Sequence, residues 1–200
     1  MSVHPIAPDR EPISLNASDE KAFGFWIYLM TDAVIFALLF ATYVVMAGNT
    51  AGGPSGRDLF DLSRTFAETM LLLLSSLTFG LAVLALAAGS RAGVLRWLAA
   101  TFFLGLGFVI LEVREFQSML AAGAGPDRSG FLSAFYTLVG THGLHVSLGL
   151  ICIAVMTGQI VVKGLGNAVA SSLLRLALFW HFLDIVWIGI FSVVYLPGVL

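Results

Sequence analysis

Five long apolar runs constrain this chain more than any other feature. They lie at about Phe23–Ala47, Phe66–Gly89, Val94–Phe116, Ser133–Val162 and Leu173–Leu196. A bilayer core ~30 Å thick takes roughly 20 helical residues to cross, so each run is long enough to span one. None shows the ten-residue alternation of a membrane barrel. The expected fold is therefore all-α, a polytopic membrane protein in which residues 23–200 form a bundle of five transmembrane helices. Residues 1–22, with Pro5, Pro8 and Pro12 among mixed charges, read as an irregular, exposed tail. Composition agrees: 58% of the residues are hydrophobic and 11% charged, against about 25% charged in a soluble domain. A net charge of −2 without a basic block argues against a nucleic-acid partner. Cys152, the single cysteine, excludes an internal disulfide and reads as a buried apolar thiol. The first run is longer than the ~7–15 residues of a signal-peptide core, so it is expected to stay in the mature chain.

Basic residues near the span ends set the expected orientation. Arg10, Lys21, Arg91, Arg96, Lys163 and Arg175 fall on one side, and Arg57, Arg64, Arg114 and Arg128 on the other. The bias favours a cytoplasmic N-terminus and a periplasmic C-terminus. The outer connections, "NTAGGPSGRD" and "AGAGPDRSG", are turn mixtures with no room for a binding domain. Any function must lie among the helices.

Ionisable residues inside spans are costly when unpaired and normally face other helices. Asp32 is expected about nine residues into the first span, roughly 13 Å deep. No Lys or Arg lies within a turn of it, so another helix, water, a lipid headgroup or a proton must accommodate it. Glu68 opens the second span and reads as an interfacial first-turn acid. The uncharged core of the third, Trp97–Leu111, is short, which puts Glu112, Arg114 and Glu115 at the outer interface. His142 and His145, three apart, share a helical face. They are either a hydrogen-bonding pair or two of the three or more ligands a metal requires. Ser133, Tyr136, Gly140, Gly143 and Ser147 form a mostly small-residue seam on that helix. His181 and Asp184 are close enough to touch, either to orient a ligand or to satisfy one another. Tyr195 and Pro197 mark the outer end of the last span, where interfacial aromatics belong.

Four stretches together resemble subunit III of the haem–copper respiratory oxidases. They are "FGFWIYLMTDAVIFALLFATYVV" (Phe23–Val45), "ETMLLLLSSLTFG" (Glu68–Gly80), "FYTLVGTHGLHVSLGL" (Phe135–Leu150) and "WHFLDIVWIGIFSVVYL" (Trp180–Leu196), in that family's order. Relatives in the cytochrome c branch usually have seven helices here. The pair preceding "FGFWIYLMTD" is missing, as is typical of quinol oxidases of the cytochrome bo type, and "GPDRSGFLSAFYTLVGTHGLHV" is similar to that branch. The resemblance places Asp32 at the family's intramembrane acid, linked to lipid binding and to proton uptake by the neighbouring subunit. Glu115 in "EVREF" matches a family glutamate, and His142, His145, His181 and Asp184 match structural or lipid-contacting positions.

The resemblance further implies no catalytic residue, haem or copper in this chain. Haem and copper belong to the partner subunit I, with subunits II and IV completing the complex and phospholipid as a further ligand. The histidine count agrees: two haems and a three-histidine copper need about six suitably placed histidines, and the chain has 4. The leading expectation is an accessory subunit of a proton-pumping quinol:oxygen oxidoreductase in a bacterial cytoplasmic membrane. The alternatives are subunit III of a cytochrome c oxidase, an accessory protein of nitric-oxide reductase, and a stand-alone proton or solute transporter. The last lacks the internal repeat and paired broken helices usual in transporters.

Overall fold

Helix α1 runs over Ala17–Met46, starting six residues before the expected first span, so Asp32 sits at its middle rather than near one end. The computed structural model describes residues 17–54 and 56–199; His4, Arg10 and the prolines of the tail lie outside these. Residues 17–20, read from the sequence as part of an irregular tail, are helical. After the short α2 (Gly56–Leu59) come α3 (Leu62–Ala87), α4 (Arg91–Ala121), α5 (Gly130–Lys163) and α6 (Asn167–Ile190). A π-helical turn, Phe191–Tyr195, then leads into α7 (Leu196–Val199). Five helical segments are long and apolar enough to cross a membrane, the last running through to Gly198. The described residues contain no strand.

Local chemistry fixes where these helices begin and end. Backbone N–H groups of Ser63 and Arg64 donate to Asp61 Oδ1 (3.0 and 3.4 Å), capping α3. Ser90 and Ser129 cap α4 and α5 by accepting from the N–H groups of Gly93 and Leu132, each at 3.2 Å. Gly89, at φ +67°, closes α3. Its N–H bonds Leu86 O, while Ser90 N–H bonds Ala85 O, both at 2.9 Å. One connection thus ends α3 and caps α4, and it forces the two into an antiparallel hairpin.

Packing follows a repeat of alternating three and four residues. The buried positions of α4 run Val94, Leu98, Thr101, Gly105, Phe108, Glu112, Glu115, Met119. Those of α3 run Thr65, Glu68, Leu72, Ser75, Phe79, Ala82. In α6 the series Val169, Leu173, Leu176, Trp180, Leu183, Trp187, Ile190 does the same. This 3.5-residue spacing keeps one stripe of each helix against its neighbours along the whole length. Helix α6 is central, packing on α3, α5 and α1. Trp180 fits notches left by Gly105 and Gly149, where an added Cβ would come within 2.8 and 2.9 Å of its ring. Helix α1 is peripheral, touching the bundle through Leu29, Asp32, Phe36 and Tyr43, with Trp26, Met30, Val34 and Leu38 facing outward.

Three expectations need correction here. Cys152 is exposed, on the outward face of α5, because an apolar thiol in a membrane protein can face lipid as readily as core. Tyr195 is fully buried instead of lying in an interfacial belt. In the π turn Leu196 N–H bonds Phe191 O, and the extra residue brings Tyr195 inward beside Val194. That wider turn also relieves the clash Pro197 would make with the carbonyl four residues back. Finally, the segment after Asn49 is more than a turn mixture. It delivers Phe60 into the bundle end, 4.8 Å from the Tyr195 ring and 5.1 Å from that of Phe135.

Candidate functional site

Among the described residues, the acids and histidines of the spans fall into three groups. Between α1 and α5, His145 Nε2 lies 3.7 Å from Asp32 Oδ2. His145 Nδ1 is 2.8 Å from the Thr141 carbonyl oxygen, which can only accept, so Nδ1 carries the hydrogen. Nε2 of the neutral ring is then an acceptor facing a carboxyl, and the pair is attractive when one proton lies on either partner. The Phe36 ring covers His145 at 5.3 Å between centroids. Asp32 thus faces an imidazole on another helix, while its Oδ2 has no hydrogen-bond partner within the protein.

Between α3 and α6, His181 Nδ1 lies 2.7 Å from Ser76 Oγ. Among the described residues no ion pair joins His181 to Asp184, and Asp184 Oδ1 has no hydrogen-bond partner in the protein. Both tryptophans of this stretch fasten α6 to α3. Trp180 Nε1–H donates to Ser75 Oγ (3.0 Å) and Trp187 Nε1–H to Thr69 Oγ1 (3.1 Å).

The third group holds three acids read from the sequence as interfacial, and all three are turned into the bundle. Glu68 is completely buried, past the first turn of α3. Glu115 is buried as well, and α4 continues beyond it to Ala121. The stripe of α4 carries both Glu112 and Glu115 inward, while the intervening Arg114 stays exposed. Tyr195 O–H donates to Glu115 Oε2 at 2.8 Å. The Glu112 carboxyl rests on Gly143 of α5, where an added Cβ would lie 2.6 Å from Oε1. His142 is enclosed by Phe108 and Trp187, at centroid distances of 5.8 and 5.3 Å, and both its nitrogens lack a protein partner.

Sequence reading assigned Glu112 no role beyond the interface, and it missed Ser76, Thr69 and the inward turn of Tyr195. The missed signal was the spacing: Phe108, Glu112, Glu115 and Met119 continue the stripe begun at Val94. His142, His145 and His181 look into three different contacts, so they do not converge on a haem iron or a copper. Among the described residues no group of three His, Cys, Asp or Glu side chains could hold a metal ion.

Comparison with known proteins gives this architecture its family. The family described as cytochrome c oxidase subunit III matches residues 16–199. The chain belongs to that family. Among its relatives, cytochrome bo(3) ubiquinol oxidase subunit 3 of Pseudomonas putida is 57% identical over 185 residues, covering 92% of this chain and 89% of the relative. The Pseudomonas aeruginosa protein of the same name is 53% identical, with 92% and 88% covered. Cytochrome c oxidase subunit 3 of Bacillus sp. strain PS3 is 43% identical over 197 residues, covering 97% and 93%. This subunit III is thus close in extent to relatives named for either electron donor, so its five-helix length does not by itself select the quinol branch.

Proposed function

We propose that this chain is an accessory, non-catalytic subunit of a quinol:oxygen oxidoreductase of the cytochrome bo type. The observation that carries the reading is the match along nine-tenths of the chain to relatives named subunit 3 of that oxidase, at 57% and 53% identity. In this reading the chain packs against the haem–copper subunit I and assembles with subunits II and IV. It lies in a bacterial cytoplasmic membrane with its N-terminus in the cytoplasm, and it supports proton pumping by stabilising its partner through turnover. Haem and copper chemistry stays in the partner. Here Asp32, His145, His181, Asp184 and the buried glutamates act as contacts between helices.

In this reading phospholipid sits in a groove of about 520 Å³ between α1, α5 and α6. Its walls include Tyr28, Ile151, Val155 and Phe179, and Arg175 stands beside Ser172 among the lining residues. An apolar trough with one guanidinium suits an acyl chain below an anionic headgroup.

Purifying the oxidase with and without this chain tests the role. Loss of the chain is expected to leave haem content unchanged and to speed inactivation during turnover. Unchanged inactivation kinetics together with unchanged proton pumping would overturn the supporting role. The relative from Bacillus sp. strain PS3 favours a second reading, subunit III of a cytochrome c oxidase. Assaying the purified complex with quinol and with reduced cytochrome c separates the two.

A further inference from the structure

We propose that Glu68, Glu112 and Glu115, bordered by Tyr195 and His142, form a buried site that binds water and an excess proton shared among the three carboxyls. Glu68 comes from α3, Glu112 and Glu115 from α4, and Tyr195 from the π turn, while His142 lies on α5. All five side chains are buried, none more than 3% exposed. Of the seven buried side-chain atoms without a protein hydrogen-bond partner among the described residues, five belong here. They are both oxygens of Glu68, Oε1 of Glu112 and both nitrogens of His142.

Ionised carboxylates only accept hydrogen bonds. Three of them cannot satisfy one another, and among the described residues the single side-chain donor bonded to the group is the Tyr195 hydroxyl, held by Glu115. The charged groups that act on the cluster from the helix ends are Arg64 and Asp61. Arg64 forms no ion pair within 4 Å with any of the acids among the described residues. From α5 the titratable neighbours are His142, beside Gly143 under Glu112, and Tyr136. Three uncompensated charges inside a bundle would be strongly unfavourable. One proton delivered by hydronium, which leaves as water, turns a carboxylate into a carboxylic acid, whose new O–H can donate to a water held between the carboxyls. The side chains are not arranged to ligate a metal cation instead.

Access is built in as well. A cavity of about 270 Å³ between α4 and α5 is lined by Glu112, Gly140, Gly143 and Ser147. A water occupies about 30 Å³ in the liquid, so the space beside Glu112 is large enough for several. His142 is enclosed in the adjoining interior by aromatic rings. It lies against Phe108, one turn before Glu112, and against Trp187, whose N–H is fixed by the residue following Glu68.

Infrared difference spectroscopy on the assembled oxidase, titrated in H₂O and D₂O, reads the site directly. A carbonyl band of protonated carboxylic acid is expected to shift in D₂O. Both Glu68→Gln and Glu112→Gln are expected to remove or displace that same band, since the proton is shared. Tyr195→Phe retains all three carboxyls, and it should displace the band by withdrawing the donor to Glu115. This variant carries the test if the glutamine variants do not assemble. A protonated-carboxyl region left unchanged by every variant that assembles overturns the proposal, whichever electron donor the oxidase uses.

Discussion

At the scale of single residues, the bundle depends on side chains too small or too polar for an ordinary apolar core. Gly143 matters because the Glu112 carboxyl occupies the place of its missing side chain. Gly143→Ala is expected to cost on the order of 1–3 kcal/mol through forced displacement of that carboxyl. Gly80→Ala, at a position with open space around it, should change little. Thermal unfolding of the purified complex compares the two. Asp32 and His145 join an edge helix to the bundle at 3.7 Å. A double-mutant cycle with Asp32→Ala and His145→Ala should return a coupling of roughly 0.6–2 kcal/mol, the range for polar pairs between membrane helices. A coupling of zero would mean that they are neighbours without interaction. Asp32, His142 and His181 could be singled out from the sequence because ionisable groups in apolar runs are conspicuous. The partners of His181 and Trp187 were not legible, since Ser76 and Thr69 look like any other small polar residues until α3 and α6 are docked.

At the scale of helices, the repeat of threes and fours does most of the organising. It selects which residues of α3, α4 and α6 meet, whether apolar or acidic, and so it buries Glu68, Glu112 and Glu115 together. Hydropathy alone ended the third span near Phe116, because charged residues were taken to mark the interface. The helix continues because its stripe remains inward while Arg114 points out. Connections matter equally. Gly89 holds a left-handed conformation that joins α3 to α4. Gly89→Ala is expected to lose about 1 kcal/mol from the left-handed backbone alone, seen as a lower unfolding temperature of the assembled chain. The same change at Gly24, within α1 and with open space around it, should be nearly neutral.

At the scale of the molecule, α6 sits centrally and α1 at the edge, an asymmetry that leaves a groove between α1, α5 and α6. Arg175 is the cation lining that trough. Arg175→Gln should lower the amount of anionic phospholipid retained through purification, measured by native mass spectrometry, without altering retention of zwitterionic lipid. Equal loss of both classes would count against a headgroup contact at this residue. The opposite end of the bundle is closed differently. Phe60 is wedged against Tyr195 and Phe135, next to the layer that holds the glutamates. One end thus offers an apolar trough and the other a buried polar layer that Glu112 connects to the opening between α4 and α5.

The sequence by itself determined the fold class, the five spans and their order, because each depends on local quantities: the length of an apolar run, a capping side chain, a glycine at a turn. It also carried the family, through four motifs in series. Only the tertiary structure decided which polar residues meet. Carboxyls from α3 and α4 meet a tyrosine at least 80 residues further along the chain, and that proximity depends on how the stripes dock and on one widened turn. Hydropathy averages over a helix and cannot tell an acid facing water from an acid facing another helix. Docking makes that distinction, and with it the change of Glu112 from an interfacial charge to the floor of a buried site.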